Sequence, residues 1–196
     1  MTRKIIFNAE ELPFRVREAL RYAGAPNTDG FISQINSCRD ELVKESTPAV
    51  CCRIMPLLHG DGTVSIGGAV LTSRNLAGNL QNCDSVIVMA ATLGVGVDRA
   101  ILAASRTSPS KAVLLQGAAA ELIESLCDEA ERKILAGRDA KPRFSPGYGD
   151  LSLEAQKVIF DVLSPERHIG LTLNSSLMLS PAKSVTAFVG ILKHGE

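Results

Sequence analysis

Apolar residues recur at helical spacing in the first quarter of the chain. The pattern predicts a helix over Glu10–Ala23, which ends at Gly24 because glycine tolerates the left-handed conformation that closes a helix. A second helix is predicted over Asp29–Lys44, and Pro48 lies beyond its end. The chain therefore opens with two helices.

Short apolar and β-branched runs follow. They predict strands over Ala49–Leu58, Val64–Leu71, Ser85–Ala91, Ile169–Leu173 and Ser184–Ile191. Helical spacing predicts further helices over Asp98–Ser105, Lys111–Ala136 and Ser152–Leu163. Because helices and strands do not alternate strictly, we expect an α+β fold with a mainly antiparallel sheet and flanking helices. We expect a single domain over 1–196, with the N-terminal helices at about 10–46 packed on it.

Composition narrows the class of protein. Hydrophobic residues make up 45% and charged residues 21% of the chain, which excludes a disordered protein. Lys plus Arg and Asp plus Glu each number 21, so the charge pattern typical of nucleic-acid binding is missing. No stretch approaches the roughly 20 apolar residues that span a membrane, and no secretory signal is visible. We expect a soluble, cytoplasmic protein with neither a nucleic-acid nor a membrane partner.

Cysteine and histidine give no sign of a disulfide framework or a metal site. The five cysteines are an odd number without a C-x-x-C pair, and we interpret them as reduced, buried thiols. Cys51 and Cys52 are adjacent on a predicted strand and should point to opposite faces. His59, His168 and His194 are far apart in the sequence, so no metal is predicted.

A glycine pair after the third strand has two interpretations. Gly94 and Gly96 lie between a strand and a helix, as in dinucleotide-binding proteins. However, Arg99 replaces the third glycine, and Asp98 would repel a phosphate at the helix start. We favour a tight strand-to-helix turn in which the glycines allow close packing.

The segment between the last two long helical patterns concentrates unusual residues. Pro146 followed by Gly147 favours a type II turn, which exposes backbone groups to a ligand. Arg143, expected to be exposed, offers a planar fork that matches a carboxylate, and Tyr148 offers an aromatic face. Asp150 or Ser152 is predicted to cap the following helix. From these residues alone, both a ligand-binding loop and a purely structural interhelical loop remain open.

Several motifs together resemble a known family. The run Arg143–Gly149, followed by Ile169–Leu173 and Pro181–Val185, closely resembles the C-terminal activation domain of cobalamin-dependent methionine synthase. Earlier, Arg21–Gly24 and Ala90–Asp98 are similar to free-standing members of that family. The resemblance covers nearly the whole chain.

The resemblance implies a function and a set of site residues. Domains of that family bind S-adenosylmethionine (SAM) and present its methyl group to an inactivated cobalamin. By resemblance, Arg143 holds the methionine carboxylate, and Ser145, Pro146, Gly147 and Tyr148 line the cofactor. An acid on the preceding long helix holds the ammonium group. Glu124 is the first candidate for that acid and Glu121 the second.

The chain has no counterpart of the synthase modules that bind homocysteine, folate and cobalamin, so it is expected to act in trans. The resemblance implies an accessory protein that remethylates cobalamin on a separate B12-dependent methionine synthase or related corrinoid methyltransferase. A flavodoxin or ferredoxin-type protein would supply the electron. The chain would thus be a component of a methyltransferase system. The alternative is a non-catalytic binding or scaffold protein of the same fold that has lost SAM and serves another corrinoid protein.

Overall fold

A computed structural model describes residues 1–193; His194 lies outside them. The helices are α1 (Val16–Ala23), α2 (Asp29–Glu45), α3 (Arg74–Asn79), α4 (Val95–Thr107), α5 (Pro109–Leu135), α6 (Ala155–Leu163) and α7 (Pro165–Ile169). The strands are β1 (Arg3–Ile6), β2 (Ala49–Gly60), β3 (Thr63–Ile66), β4 (Ala69–Thr72), β5 (Cys83–Thr92), β6 (Thr172–Leu173), β7 (Leu179–Ser180) and β8 (Ser184–Leu192). Within the described residues, no helix is both long and apolar enough to cross a membrane.

Six strands form one sheet in the order β4-β3-β2-β5-β8, with β1 also paired to β2. The 12-residue strand β2 is long enough to pair with β1 through Ala49–Cys52 and with β3 through Leu57–Gly60 along the same edge. Every pairing is antiparallel, and β6 and β7 form a separate small hairpin. The predicted α+β class with a mainly antiparallel sheet is confirmed.

Helices cover both faces of the sheet. Helix α5 lies on one face with α1, α2 and α4 around it, while α6 and α7 lie on the other face. Alternation along β2 separates the two cores: Cys52 packs with the α5 side and Cys51 with the α6 side, as the sequence predicts. All five cysteines are buried, with free thiols.

Helix α1 packs so closely on α5 that its backbone atoms contact Gly117 of α5. A Cβ atom added at Gly117 of α5 would lie 2.6 Å from the carbonyl oxygen of Ala19 and 2.7 Å from the backbone nitrogen of Ala23. Glycine at this position therefore sets how closely α1 approaches α5, which is the helix that carries the candidate site.

Two predicted elements are each interrupted in the structure. The helix predicted from Glu10 begins only at Val16, because Ala9–Glu11 forms a 3₁₀ turn that Pro13 separates from α1. The strand predicted over Val64–Leu71 is divided into β3 and β4 by Gly67 and Gly68, both with positive φ.

The predicted strand Ile169–Leu173 is wrong over most of its length. Pro165 begins α7, and Gly170, with a φ of 69°, ends it. Only Thr172 and Leu173 remain to pair with β7. Strand β1 and helix α3 were not predicted, since segments of four and six residues are too short to establish a hydrophobic period.

Candidate functional site

Arg143 is held by a strand-like segment on the free edge of β8. After α5 the chain turns back along this edge: the Lys141 N–H donates to the Gly190 carbonyl at 2.8 Å, and Phe144 and Phe188 exchange two backbone hydrogen bonds of 2.9 Å. The Phe144 side chain enters the core on the α6 side. Because side chains alternate along an extended segment, Arg143 faces α5.

Three carboxylates of α5 surround the Arg143 guanidinium. Its Nη2 lies 2.9 Å from Glu124 and 2.8 Å from Asp128, and its Nη1 lies 2.5 Å from Glu131. These acids share one helix face, since they are spaced by four and three residues. The Arg143 side chain is only 18% exposed. It is therefore a paired, half-buried group and not the exposed loop side chain that the sequence suggested.

Burial and charge compete at this cluster. Burial alone lowers the pKa of the Arg143 guanidinium, but neighbouring groups, including Glu131 and Asp128, outweigh it and leave that pKa above its ordinary value. Burial also raises the pKa of the Glu131 carboxyl, although Arg143 opposes that change. The guanidinium is thus permanently charged, while burial disfavours the charge of Glu131.

The predicted type II turn is present beside Arg143. The Tyr148 N–H donates to the Ser145 carbonyl at 3.1 Å, and Gly147 at the third position has a φ of 87°. The Gly147 N–H in turn donates to the Leu151 carbonyl at 2.8 Å. A Cβ atom on Gly147 would lie 2.9 Å from Cδ2 of Leu153, so a larger residue would conflict with both backbone and neighbour.

The turn places Tyr148 at the rim of a cleft. Tyr148 is 69% exposed, and its ring packs edge-to-face against that of Phe144 at a centroid distance of 5.4 Å. The cleft measures about 510 Å³ and is lined by Glu124, Asp128, Glu131, Pro142, Arg143, Ser145, Tyr148 and Val185. It combines one cation, three carboxylates and one accessible aromatic face.

Asp150 caps a different helix from the one predicted. Its carboxylate accepts hydrogen bonds from the Arg74 N–H at 2.9 Å and the Asn75 N–H at 3.2 Å, at the start of α3, and from the Ser73 hydroxyl. These bonds, that of Ser73 above all, hold the pKa of Asp150 below its ordinary value. Ser152 does not cap α6 either: it accepts from the Glu154 N–H at 3.2 Å, and Glu154, the cap residue of α6, makes no side-chain capping bond. The turn is thereby anchored to α3.

The second candidate acid, Glu121, lies outside the cleft. It is fully buried, and its Oε1 accepts hydrogen bonds from Nε of Arg15 at 2.6 Å, from the Arg15 N–H at 3.2 Å and from the Ser125 hydroxyl at 3.1 Å. The structure therefore brings Glu124, Ser145 and Tyr148 to Arg143, but not Glu121. Pro146 and Gly147, which were also predicted to line the cofactor, form the adjoining turn and are not among the residues that line the cleft.

Sequence reasoning missed Asp128 and Glu131. The only available signal was their spacing from Glu124, four and seven residues further along the same helix face. That spacing is common on solvated helices. It indicates a site only once the structure shows that Arg143 contacts this face of α5.

The glycine pair at the start of α4 serves packing. A Cβ atom on Gly94 would lie 2.1 Å from the Thr47 hydroxyl oxygen, and one on Gly96 would lie 2.0 Å from the Glu45 carbonyl oxygen. Asp98 accepts a hydrogen bond from the Ala182 N–H at 2.7 Å, which ties α4 to the segment before β8. This geometry agrees with the packing interpretation.

Comparison with known proteins identifies the fold. No family model matches the chain, and no curated protein matches it by sequence. A solved structure, the MetH reactivation domain bound to AdoHcy, matches over 100% of this chain and 80% of its own, with a TM-score of 0.74 and 14% sequence identity. The chain thus has the fold of the methionine synthase reactivation domain, as the sequence motifs predicted.

Proposed function

We propose that the chain binds SAM in the Arg143 cleft and serves as a free-standing reactivation protein for a cobalamin-dependent methyltransferase. The observation that carries this proposal is the pairing of Arg143 with three carboxylates beside the Pro146-Gly147 turn. The fold, shared with a reactivation domain that binds AdoHcy, supports it.

The charges of the cleft match those of SAM. The ligand has a carboxylate, an ammonium group and a sulfonium, and so carries one net positive charge. Arg143 supplies the planar fork for the carboxylate, and Glu124 is close enough to that fork to take the neighbouring ammonium group. Because Arg15 also pairs with Asp128, the carboxylate in excess of the cleft's cation is that of Glu131, and its negative charge favours a cationic ligand.

The turn supplies the apolar side of the same site. Gly147 adds no side chain to the turn, and Tyr148 presents an exposed ring against which a flat ligand group can pack. When bound, SAM would supply an electrophilic methyl group to reduced cobalamin carried by the partner. The chain's own task is then to orient the ligand and to limit water in the cleft, and it needs no general base.

The direct test is a reconstitution in trans. A cobalamin-binding methionine synthase that lacks its own activation domain is inactivated and mixed with SAM, this protein and a flavodoxin or ferredoxin-type reductant. We expect activity to return only with the complete mixture. A matched control uses the Arg143→Ala variant, which should not restore activity. Failure of the complete mixture with several such synthases would contradict the reactivation role.

A second candidate function rests on the observation that the guanidinium of Arg143 is already fully paired with protein carboxylates. Since its guanidinium already has three carboxylate partners, it could serve the fold alone, in a scaffold protein that no longer binds SAM. Thermal denaturation with and without SAM distinguishes the two, because a ligand that binds only the folded state raises the melting temperature. An unchanged melting temperature at millimolar SAM would favour the scaffold.

A further inference from the structure

Asp128 is shared between two guanidinium groups. Its Oδ1 lies 2.8 Å from Nη2 of Arg143, and its Oδ2 lies 3.3 Å from Nη1 of Arg15. Arg15 comes from the segment immediately before α1, far from Arg143 in the sequence. The carboxylate thus connects the N-terminal part of the chain to the candidate site.

Arg15 is itself fixed by a buried acid. Glu121 has no solvent exposure, and one of its oxygens accepts from both the side-chain Nε and the backbone N–H of Arg15. A buried carboxylate with two bonds to one residue restricts that residue strongly. The guanidinium is therefore aimed at Asp128, although half of the Arg15 side chain is exposed.

We propose that Arg15 is a positioning residue for SAM binding and acts through Asp128. This inference rests on the proposed function. When the carboxylate of SAM takes its place on Arg143, Oδ1 of Asp128 loses its cation. Arg15 then keeps Asp128 neutralised and in place. Without Arg15, an uncompensated Asp128 carboxylate would stand beside the carboxylate of the ligand and repel it.

Glu121 thereby contributes to the site indirectly, through Arg15. It does not line the cleft, but it orients the arginine that holds Asp128. The two acids considered for the same role from the sequence, Glu124 and Glu121, would act at different distances from the ligand.

The test is a double-mutant cycle on SAM affinity, measured by calorimetry. Arg15→Gln should weaken binding about fivefold in the natural chain and should have no effect when Asp128 is already Asn. Arg21→Gln is the matched control, since Arg21 lies on α1 in an exposed ion pair with Glu18 and should not change affinity.

A purely structural role of Arg15 predicts a different result. Loss of the Glu121 contact would then weaken binding equally with and without the Asp128 carboxylate, which would overturn the inference. If Arg15→Gln does not fold, the cycle is repeated with Arg15→Lys, whose single ammonium cannot serve Glu121 and Asp128 together. An unchanged affinity in every Arg15 variant that folds would also overturn it. Absence of SAM binding by the natural chain would instead contradict the proposed function.

Discussion

The two halves of α5 have different roles, one in packing and the other in the candidate site. In the N-terminal half, Gly117, Ala118 and Ala119 are buried, and Gly117 lets α1 approach closely. In the C-terminal half, Glu124 and Glu131 reach the cleft and pair with Arg143. One helix thus contributes to both the framework and the site. Substitutions in the first half should change stability, and substitutions around the second should change ligand affinity.

The largest expected effect is on the framework. Gly117→Ala places a methyl group within 2.6 Å of backbone and side-chain atoms of α1, so α1 has to move. We expect the free energy of unfolding to fall by about 2 to 3 kcal/mol, measured by urea denaturation. SAM affinity of the folded fraction should change much less.

Gly30 provides the matched control for Gly117. It lies near the start of α2, and nothing is within 4 Å of the position of its Cβ. Gly30→Ala should leave stability unchanged or raise it by up to about 1 kcal/mol. Equal losses for the two substitutions would show that the close contact of α1 and α5 is not what Gly117 provides.

The next effect concerns the turn beside the second half of α5. Gly147→Ala combines an unfavourable φ of 87° with a contact to Leu153, so the turn that carries Tyr148 must shift. We expect SAM binding to weaken about tenfold, measured by calorimetry.

Gly137→Ala is a control that separates the effect of backbone strain from the effect of a shifted Tyr148 turn. The φ of Gly137 is 88°, but its Cβ position is free of neighbours and, unlike Gly147, it is not adjacent to a residue that lines the cleft. Gly137→Ala should lower stability by about 1 kcal/mol, as a non-glycine residue at positive φ does, and should leave SAM affinity unchanged. If both glycine variants weaken binding equally, the turn is not part of the site.

The smallest expected effect concerns the thiols. Cys127 neighbours Asp128 in the sequence yet faces the core, and burial raises its pKa. Burial likewise raises the pKa of the Cys51 thiol to about 12. Since the thiolate is the reactive form, a thiol reagent at pH 8 should react slowly with the folded protein and rapidly with all five cysteines in denaturant. Fast labelling of the folded protein would show that the core opens readily.

Local features could be predicted from the sequence, and distant ones could not. The type II turn follows from Pro146 and Gly147 alone, because its geometry depends on neighbouring residues. The partners of Arg143 lie 12 to 19 residues away, on a helix whose rotation is set by packing against the sheet and α1. For the same reason Asp150, predicted to cap the helix after it, caps α3, more than 70 residues earlier.

Calorimetric titration of SAM into Arg143 variants tests the central claim most directly. The natural chain should bind, Arg143→Ala should lose about 2 to 3 kcal/mol of binding free energy, and Arg143→Lys should recover little of it. Arg138→Ala is the control, because Arg138 donates to the Ile134 and Leu135 carbonyls at the end of α5 and is absent from the cleft lining. Melting curves of each variant establish that it is folded. If folded Arg143→Ala binds SAM as tightly as the natural chain, the cleft does not bind the SAM carboxylate.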